Sequence, residues 1–139
     1  MTVQANGYAH VRLTVTDIAR SRAFYEDIFG FPVAAELPAN ADADTREALG
    51  FLYGGVLYHC GSGLFGLRPA AHAGDRFDEN RVGLDHVSFA VANRAALDAA
   101  ATLLDERGIK HGGVKDIGQG FILEFRDPDG IALELNAPA

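Results

Sequence analysis

The sequence repeats one pattern of residues, and this repeat limits the possible folds more than any other feature. An alternating run at residues 8–15 (YAHVRLTV) precedes an Asp and a helical pattern, and a similar run at residues 84–91 (LDHVSFAV) precedes an Asn and a second helical pattern. The two His-Val pairs, at His10 and His86, are 76 residues apart. Self-similarity at a fixed offset indicates an internal duplication. We therefore expect two copies of one structural unit.

Each copy has the pattern of a strand, a helix and two or three further strands. Alternation of apolar and polar residues predicts a half-buried strand at the start of each unit. In the first unit Asp17 is a plausible N-cap of the helix and Gly30 ends it, and in the second unit Asn93 caps a helix over residues 94–107. A unit with one helix cannot cover a sheet alone, so the two units must pack together or exchange between chains. We expect an α+β fold with a curved sheet and an open concave side.

The remaining elements follow from local patterns. The chain of 139 residues has the length of one domain. We expect a single domain over residues 1–139, made of module 1 (about 6–69), a linker (about 70–82) and module 2 (about 83–137). Further strands are predicted at residues 31–37, 49–60, 64–68, 120–125 and 131–135. Residues 38–45 (PANADADT) are polar and predict a surface loop, and the DPDG sequence after Arg126 has the residues of a type I turn.

Composition excludes several classes of protein. Hydrophobic residues make up 48% and charged residues 22%, as in ordinary globular proteins. The net charge of −7, from 12 basic and 19 acidic residues, disfavours binding to nucleic acid. No apolar run reaches the roughly 20 residues of a membrane span, and no secretory signal is evident, so we expect a cytoplasmic protein without a membrane partner. Cys60 is the single cysteine, so any metal must be held by His and carboxylate groups.

Three residues predict a metal site. His10 and His86 lie at equivalent points of the two opening strands, and Glu134 lies in a run (IALEL) whose alternation places it opposite Leu133 and Leu135. Two histidines and one carboxylate can hold a metal ion and leave positions open for a substrate or dioxygen. A single strand histidine is more often a structural residue, and Glu134 would need no partner on an exposed edge strand. The repeat favours the metal site.

Long parts of the sequence resemble the vicinal oxygen chelate superfamily. The similar segments are AHVRLTVTDIARSRAFYEDIFGF, LDHVSFAV and RDPDGIALEL, and the resemblance covers nearly the whole chain. This superfamily includes glyoxalase I, extradiol dioxygenases, fosfomycin-modifying transferases and bleomycin-binding resistance proteins. The resemblance implies paired βαβββ modules around a concave metal and substrate cup. It also implies one divalent metal ion (Fe, Mn, Zn or Ni) held by His10, His86 and Glu134, with Glu134 also catalytic.

The sequence departs from individual members of this superfamily. The fourth metal ligand of glyoxalase I falls on or near Gly66, unless a small shift of register brings His59 or Cys60 there. Glu124 stands where extradiol dioxygenases commonly carry a tyrosine. Fosfomycin transferases need basic residues near the metal. The candidates by strand phase are Arg12, Arg68 and Lys115.

These features together predict a metal-dependent enzyme. It would bind a small substrate through two adjacent oxygens, as a dioxygenase or as a glyoxalase-like lyase. The alternative is a non-catalytic small-molecule or drug-binding protein of the bleomycin-resistance type, which the acidic balance suits. A homodimer is expected, with the site formed either within one chain or from His10 of one chain together with His86 and Glu134 of the other. The predicted substrate-pocket residues are Arg12, Phe51, Tyr58, Phe65, Ser88, Phe121 and Glu124.

Overall fold

The chain divides into two compact units. The computed structural model describes residues 1–139, and its units are Met1–Gly74 and Asp75–Ala139. The division falls inside the segment predicted as a linker. Residues 75–80 are part of the second unit, because the Phe77 N–H donates to Asp129 O (3.0 Å) and Arg76 Nη1 donates to Pro128 O (2.9 Å). None of the helices combines the length and the apolar composition that crossing a bilayer requires.

The first unit is a four-stranded mixed sheet with one long helix. Its elements are β1 (His10–Thr14), α1 (Ile18–Phe29), β2 (Val33–Glu36), α2 (Ala43–Ala48), a 3₁₀ helix (Gly50–Leu52), β3 (Val56–Cys60) and β4 (Gly63–Arg68). The strand order is β1-β4-β3-β2, in which β1 runs parallel to β4 and the other pairs are antiparallel.

The second unit has the same topology. Its elements are β5 (Val87–Ala90), α3 (Arg94–Glu106), β6 (Lys115–Asp116), β7 (Gly120–Arg126) and β8 (Ala132–Pro138). The strand order is β5-β8-β7-β6, in which β5 runs parallel to β8 and the other pairs are antiparallel. The predicted α+β class and the repeated βαβββ order are therefore confirmed.

The predicted caps of the two long helices are also confirmed, and α3 ends at Glu106, one residue before the predicted end. The Asp17 side chain accepts a hydrogen bond from Arg20 N (3.0 Å) at the start of α1, and the Asn93 side chain accepts one from Ala96 N (3.0 Å) at the start of α3. Such caps satisfy backbone N–H groups that the first helical turn leaves free. Gly30 ends α1 in the left-handed conformation (φ 62°), which glycine adopts without steric cost.

The two units have different cores. In the first unit, the rings of Tyr25 on α1 and Phe65 on β4 lie 5.1 Å apart, and Phe31 contacts Phe65 and Tyr58 at 5.7 and 6.0 Å. In the second unit the largest fully buried side chains are leucines. They are Leu97, Leu104, Leu123 and Leu133. Each sheet thus buries the face that carries its helix.

The segment before β3 differs from the prediction. Residues 38–45 are not one loop, because α2 begins at Ala43 after the Asp42 side chain accepts a hydrogen bond from Thr45 N (2.8 Å). The predicted strand over residues 49–60 begins only at Val56. Before it, Gly55 approaches the β4 backbone so closely that a Cβ would lie 1.9 Å from Leu67 O.

Candidate metal and substrate site

Glu134 lies on the face of the second sheet that α3 does not cover. Its neighbours on β8, Leu133 and Leu135, are buried, as the alternation predicted. The Glu134 side chain is 13% exposed. A carboxylate at such a position needs polar partners, because burying an unpaired charge is costly.

Strand β5 and the residue before it supply these partners. Ser88 is the register partner of Glu134 across the parallel ladder, and Ser88 Oγ donates a hydrogen bond to Glu134 Oε1 (2.7 Å). The other carboxylate oxygen, Oε2, lies 3.8 Å from His86 Nε2. Two of the three predicted ligands, His86 and Glu134, are therefore brought together within the second unit.

The imidazole of His86 is oriented by its chain neighbour. His86 lies one residue before β5, and its Nδ1 is 2.6 Å from Asp85 Oδ1. The Asp85 hydrogen bond raises the pKa of His86, and the charge of Glu134 acts in the same direction. With Nδ1 engaged by Asp85, Nε2 is the nitrogen that faces Glu134. A carboxylate behind a histidine in this way fixes the ring and makes the other nitrogen a better metal ligand.

A second carboxylate faces Glu134 across the antiparallel ladder. Glu124 on β7 is the register partner of Glu134. Like charges directly opposite each other destabilise a sheet unless cations balance them. Lys115 on β6 provides one, with its Nζ 3.2 Å from Glu124 Oε2. Glu124 thus adds negative charge beside the His86 and Glu134 pair.

These side chains line a pocket of about 380 Å³ in the second unit. Its size lies in the usual range for small-molecule sites, about 300–1,000 Å³. The charged and titratable lining residues are Glu79, Asp85, His86, Lys110, His111, Glu124, Arg126 and Glu134. Arg126 pairs with Glu79 (2.6 Å), and this hydrogen bond lowers the pKa of Glu79 to about 2. Lys110 contacts no carboxylate. The free charge of the pocket is therefore mainly negative.

Some lining residues were not predicted. Asp85 adjoins His86 in the sequence and could have been found from that adjacency, but no local pattern connects Glu79 with Arg126. His111 lines the pocket, yet both of its ring nitrogens are engaged. Nε2 lies 2.8 Å from Asp105 Oδ1, and Nδ1 accepts from Gly113 N (3.1 Å). His111 therefore has no free nitrogen for a ligand.

The other predicted pocket residues lie elsewhere. Tyr58 and Phe65 are fully buried in the aromatic core of the first unit, so their prediction as pocket residues is wrong. Burial raises the pKa of Tyr58 to about 12. Phe121 lies on the same face of β7 as the buried Leu123, and its half-buried ring is 5.0 Å from the Arg94 guanidinium of α3, on the helix side of the second sheet. Because Phe121 faces α3 and does not line the pocket, its prediction as a pocket residue is wrong as well.

Three predicted residues lie on or beside the sheet of the first unit. His10 is exposed on β1, and its side chain forms no hydrogen bond or ion pair. Arg12 on β1 donates from Nη2 to Phe51 O, and its guanidinium lies 6.0 Å from the Phe51 ring. The Phe51 ring is exposed after α2. None of these contacts involves a carboxylate.

Gly66 has the register position in the first sheet that Glu134 has in the second. Gly66 pairs with Arg12 across β1 and β4, as Glu134 pairs with Ser88 across β5 and β8. A Cβ at Gly66 would lie 2.6 Å from Leu57 Cδ2 and 3.1 Å from Arg12 Cγ. Its partner on β3 is Leu57, so no shifted register brings a ligand there from β3.

The donor set present fits part of a metal site. His86 Nε2 and Glu134 Oε2 converge, and nitrogen and oxygen donors of this kind suit divalent transition metals. No group of three or more His, Cys, Asp or Glu side chains is placed to hold a metal ion. His10 belongs to the other unit, and its role as the third ligand stays a prediction.

Comparison with solved structures supports the fold. A glyoxylase/bleomycin resistance protein/dioxygenase domain from Frankia sp. EAN1pec is 28% identical, with a TM-score of 0.77 over 98% of this chain and 94% of that one. Lactoylglutathione lyase from Agrobacterium tumefaciens is 20% identical (TM-score 0.70, 96% and 94% covered). The fosfomycin resistance protein FosX from Listeria monocytogenes is 16% identical (TM-score 0.71, 98% and 94% covered). The latter two likenesses concern the fold alone.

A family comparison identifies the chain more directly. Among curated proteins, none matches it. The model of the Glyoxalase/Bleomycin resistance protein/Dioxygenase superfamily matches residues 7–135, which cover most of both units and include every predicted metal ligand. The repeated βαβββ topology agrees with that match. The chain therefore belongs to the Glyoxalase/Bleomycin resistance protein/Dioxygenase superfamily.

Proposed function

We propose that the protein is a metal-dependent enzyme that binds a small substrate through two adjacent oxygen atoms, with dioxygenase-like or glyoxalase-like lyase chemistry. The observation that carries this proposal is the convergence of His86 Nε2 and Glu134 Oε2 at 3.8 Å in a pocket of about 380 Å³. Asp85 is hydrogen-bonded to His86, and Ser88 donates a hydrogen bond to Glu134. In metal sites the ligating side chains are typically held in orientation by hydrogen bonds of this kind.

Each residue has a separate task in this proposal. His86 and Glu134 are ligands, Asp85 keeps the proton on Nδ1 of His86, and the Ser88 hydroxyl fixes the Glu134 carboxylate. A bound divalent ion (Fe, Mn, Zn or Ni) supplies Lewis acidity toward the substrate oxygens. Glu124 lines the same pocket and is the base in this proposal. Its Oε2 also contacts Lys115 Nζ.

The third ligand in this proposal is His10. It is exposed and forms no hydrogen bond or ion pair that a metal would have to displace. In the homodimer that we expect, His10 of one chain completes the site of the other. The proposal thus includes a site shared between two copies of the chain.

Metal content tests the ligands. We expect protein purified without chelator to contain about one divalent ion per chain, and His86→Ala and Glu134→Ala to lose most of it. His72→Ala is the matched control, because His72 is exposed and has no partner. The same metal content in the wild type and in both ligand variants would exclude this metal site.

A mixing experiment tests whether the site is shared. His10→Ala and His86→Ala should each bind no metal alone. If His10 acts across the dimer, a refolded mixture of the two variants contains heterodimers with one intact site, and about a quarter of the sites in a statistical mixture bind metal. If no binding returns although heterodimers are shown to form, His10 does not act across the dimer.

The charge of the pocket favours a second candidate, the binding of a cationic small molecule without metal. The pocket has four carboxylates, and Arg126 is already paired with Glu79. Such a protein would bind a cationic ligand equally well in excess chelator. Glu124→Gln would weaken that binding, whereas an enzyme of the first kind would lose its substrate binding when the metal is removed.

A further inference from the structure

The first unit carries two arginines that lack the partners found elsewhere in the chain. Three other arginines, Arg22, Arg94 and Arg126, form ion pairs with carboxylates. Acidic residues outnumber basic ones by 19 to 12, so such partners are abundant. Arg12 and Arg68 nevertheless contact aromatic residues and a backbone carbonyl only.

Strand register places both arginines on the same face of the first sheet. Arg12 pairs with Gly66, and Arg68 lies two residues further along β4, so both point away from the buried Phe65 and Leu67. Strand geometry puts their Cα atoms about 8 Å apart. Two long side chains at this spacing can converge on one anion.

Gly66 leaves room for the Arg12 side chain. A Cβ at that position would lie 3.1 Å from Arg12 Cγ, so the arginine stem crosses the sheet where other residues would project. The guanidinium has five donors, of which Nη2 binds Phe51 O, while Nε is buried without a partner. Its orientation is fixed and most of its hydrogen-bonding capacity is unused.

Two exposed rings flank these cations. Phe51 is 51% exposed and Tyr53 is 60% exposed. The Arg68 guanidinium lies 4.1 Å from the centre of the Tyr53 ring, a distance typical of cation–π contacts. Tyr53 has a left-handed backbone (φ 52°) at the end of the 3₁₀ helix, which presents its ring beside β4.

We propose that Arg12 and Arg68 form a binding site for a carboxylate, phosphate or phosphonate group, and that Phe51 and Tyr53 contact a flat apolar part of the same ligand. Guanidinium groups bind such oxyanions through paired, charge-assisted hydrogen bonds. All four residues belong to the first unit. This binding therefore needs neither a metal ion nor His86 and Glu134.

Calorimetric titration of chelator-treated protein tests the site. The probes are inorganic phosphate, benzoate and phenylphosphonate, which separate the anion from its apolar part. We expect saturable binding of phenylphosphonate to the wild type and an affinity at least about tenfold lower in Arg68→Gln, since each charge-assisted contact contributes on this scale. Arg12→Met should act similarly while keeping the apolar stem over Gly66.

Arg81→Gln is the matched control, because Arg81 is exposed, carries the same charge and lies in the other unit. It should leave the affinity unchanged. Tyr53→Ala should weaken phenylphosphonate binding and not phosphate binding, and the opposite result would overturn the aromatic contact. No saturable binding of any probe, or equal affinities in the wild type and Arg68→Gln, would overturn the site. Either result leaves the metal content of the protein, and so the proposed function, as a separate question.

Discussion

The two units share one topology but have opposite charge on the sheet face that the long helix leaves uncovered. Ser88, Glu134 and Glu124 on the second sheet have the register positions of Arg12, Gly66 and Leu57 on the first. His86 is held between two carboxylates, whereas its counterpart His10 has no partner. One face is therefore acidic and the other basic.

This difference shows which part of a duplicated unit is free to diverge. The strand residues that face the helix remain apolar in both units, as in the equivalent pair Phe65 and Leu133. The residues on the other face have changed in size and in sign of charge. Core packing constrains the residues that face the helix, because adding or removing a single methylene group in a close-packed core destabilises the fold. The other set is open to selection for binding.

The largest expected effect concerns the equivalent core positions. Phe65→Ala should lower the free energy of unfolding by about 3–5 kcal/mol and Leu133→Ala by about 2–5 kcal/mol, because each leaves a cavity under its helix. Urea unfolding followed by circular dichroism measures both. Leu84→Ala is the control, since Leu84 is 38% exposed. The equivalence of the two cores is wrong if either core variant costs no more than this control.

The second prediction tests the difference between the open faces. Gly66→Glu introduces a glutamate at the position of the first sheet that is equivalent to Glu134 in the second. Its Cβ would meet Leu57 Cδ2 at 2.6 Å and Arg12 Cγ at 3.1 Å, so we expect a loss of about 1–3 kcal/mol in unfolding free energy.

The combined variant Arg12→Ser with Gly66→Glu reproduces the pair found in the second unit. It should be more stable than the sum of the two single effects, because the serine removes the contact with Arg12 Cγ and can donate to the new carboxylate, while the contact with Leu57 remains. A double-mutant cycle measures this coupling. Strict additivity would show that the two registers are not equivalent at these positions.

Much of this comparison could be predicted from the sequence. The offset between His10 and His86 predicted the duplication, and alternation in IALEL predicted that Glu134 faces away from the buried leucines. Caps such as Asp17 and Asn93 were predictable because their side-chain hydrogen bonds are local. Sequence reasoning can predict features that depend on neighbouring residues or on the two-residue period of a strand.

Features that depend on packing between distant segments were not predictable. Tyr58 and Phe65 have the same aromatic character as an exposed pocket residue, and only the position of α1 shows that they form the core. The Glu79 and Arg126 pair joins residues 47 positions apart. No periodicity indicates such a contact.

The third prediction concerns the support of His86, which His10 lacks. Asp85→Asn should lower the pKa of His86, because the hydrogen bond that Asp85 accepts from His86 Nδ1 is the main cause of the raised pKa. A histidine with a raised pKa in the folded state stabilises the fold at pH values below its ordinary pKa. This stabilisation is lost as the pH rises through the raised pKa. The variant should therefore lose stability on the acidic side of that range.

An NMR titration of the imidazole protons measures this pKa directly. Asp75→Asn is the control, because Asp75 binds only the Arg76 N–H. Asp85→Asn should also weaken binding of a divalent metal by about tenfold, as other supporting residues do. An unchanged His86 pKa in Asp85→Asn would show that the hydrogen bond does not set the protonation of the ring.

The smallest expected effect concerns Glu79, whose pairing with Arg126 has no counterpart in the first unit. Its pKa is about 2 in the folded chain against an ordinary 4.5, so its contribution to stability is present above pH 4.5 and is lost as pH falls toward 2. Glu79→Gln should be slightly less stable than the wild type at neutral pH and equally stable only below about pH 2. Because the pair is at the surface, the effect should also shrink at high salt. Urea unfolding at several pH values measures it, and a stability difference that does not change with pH would mean that Glu79 acts through packing rather than charge.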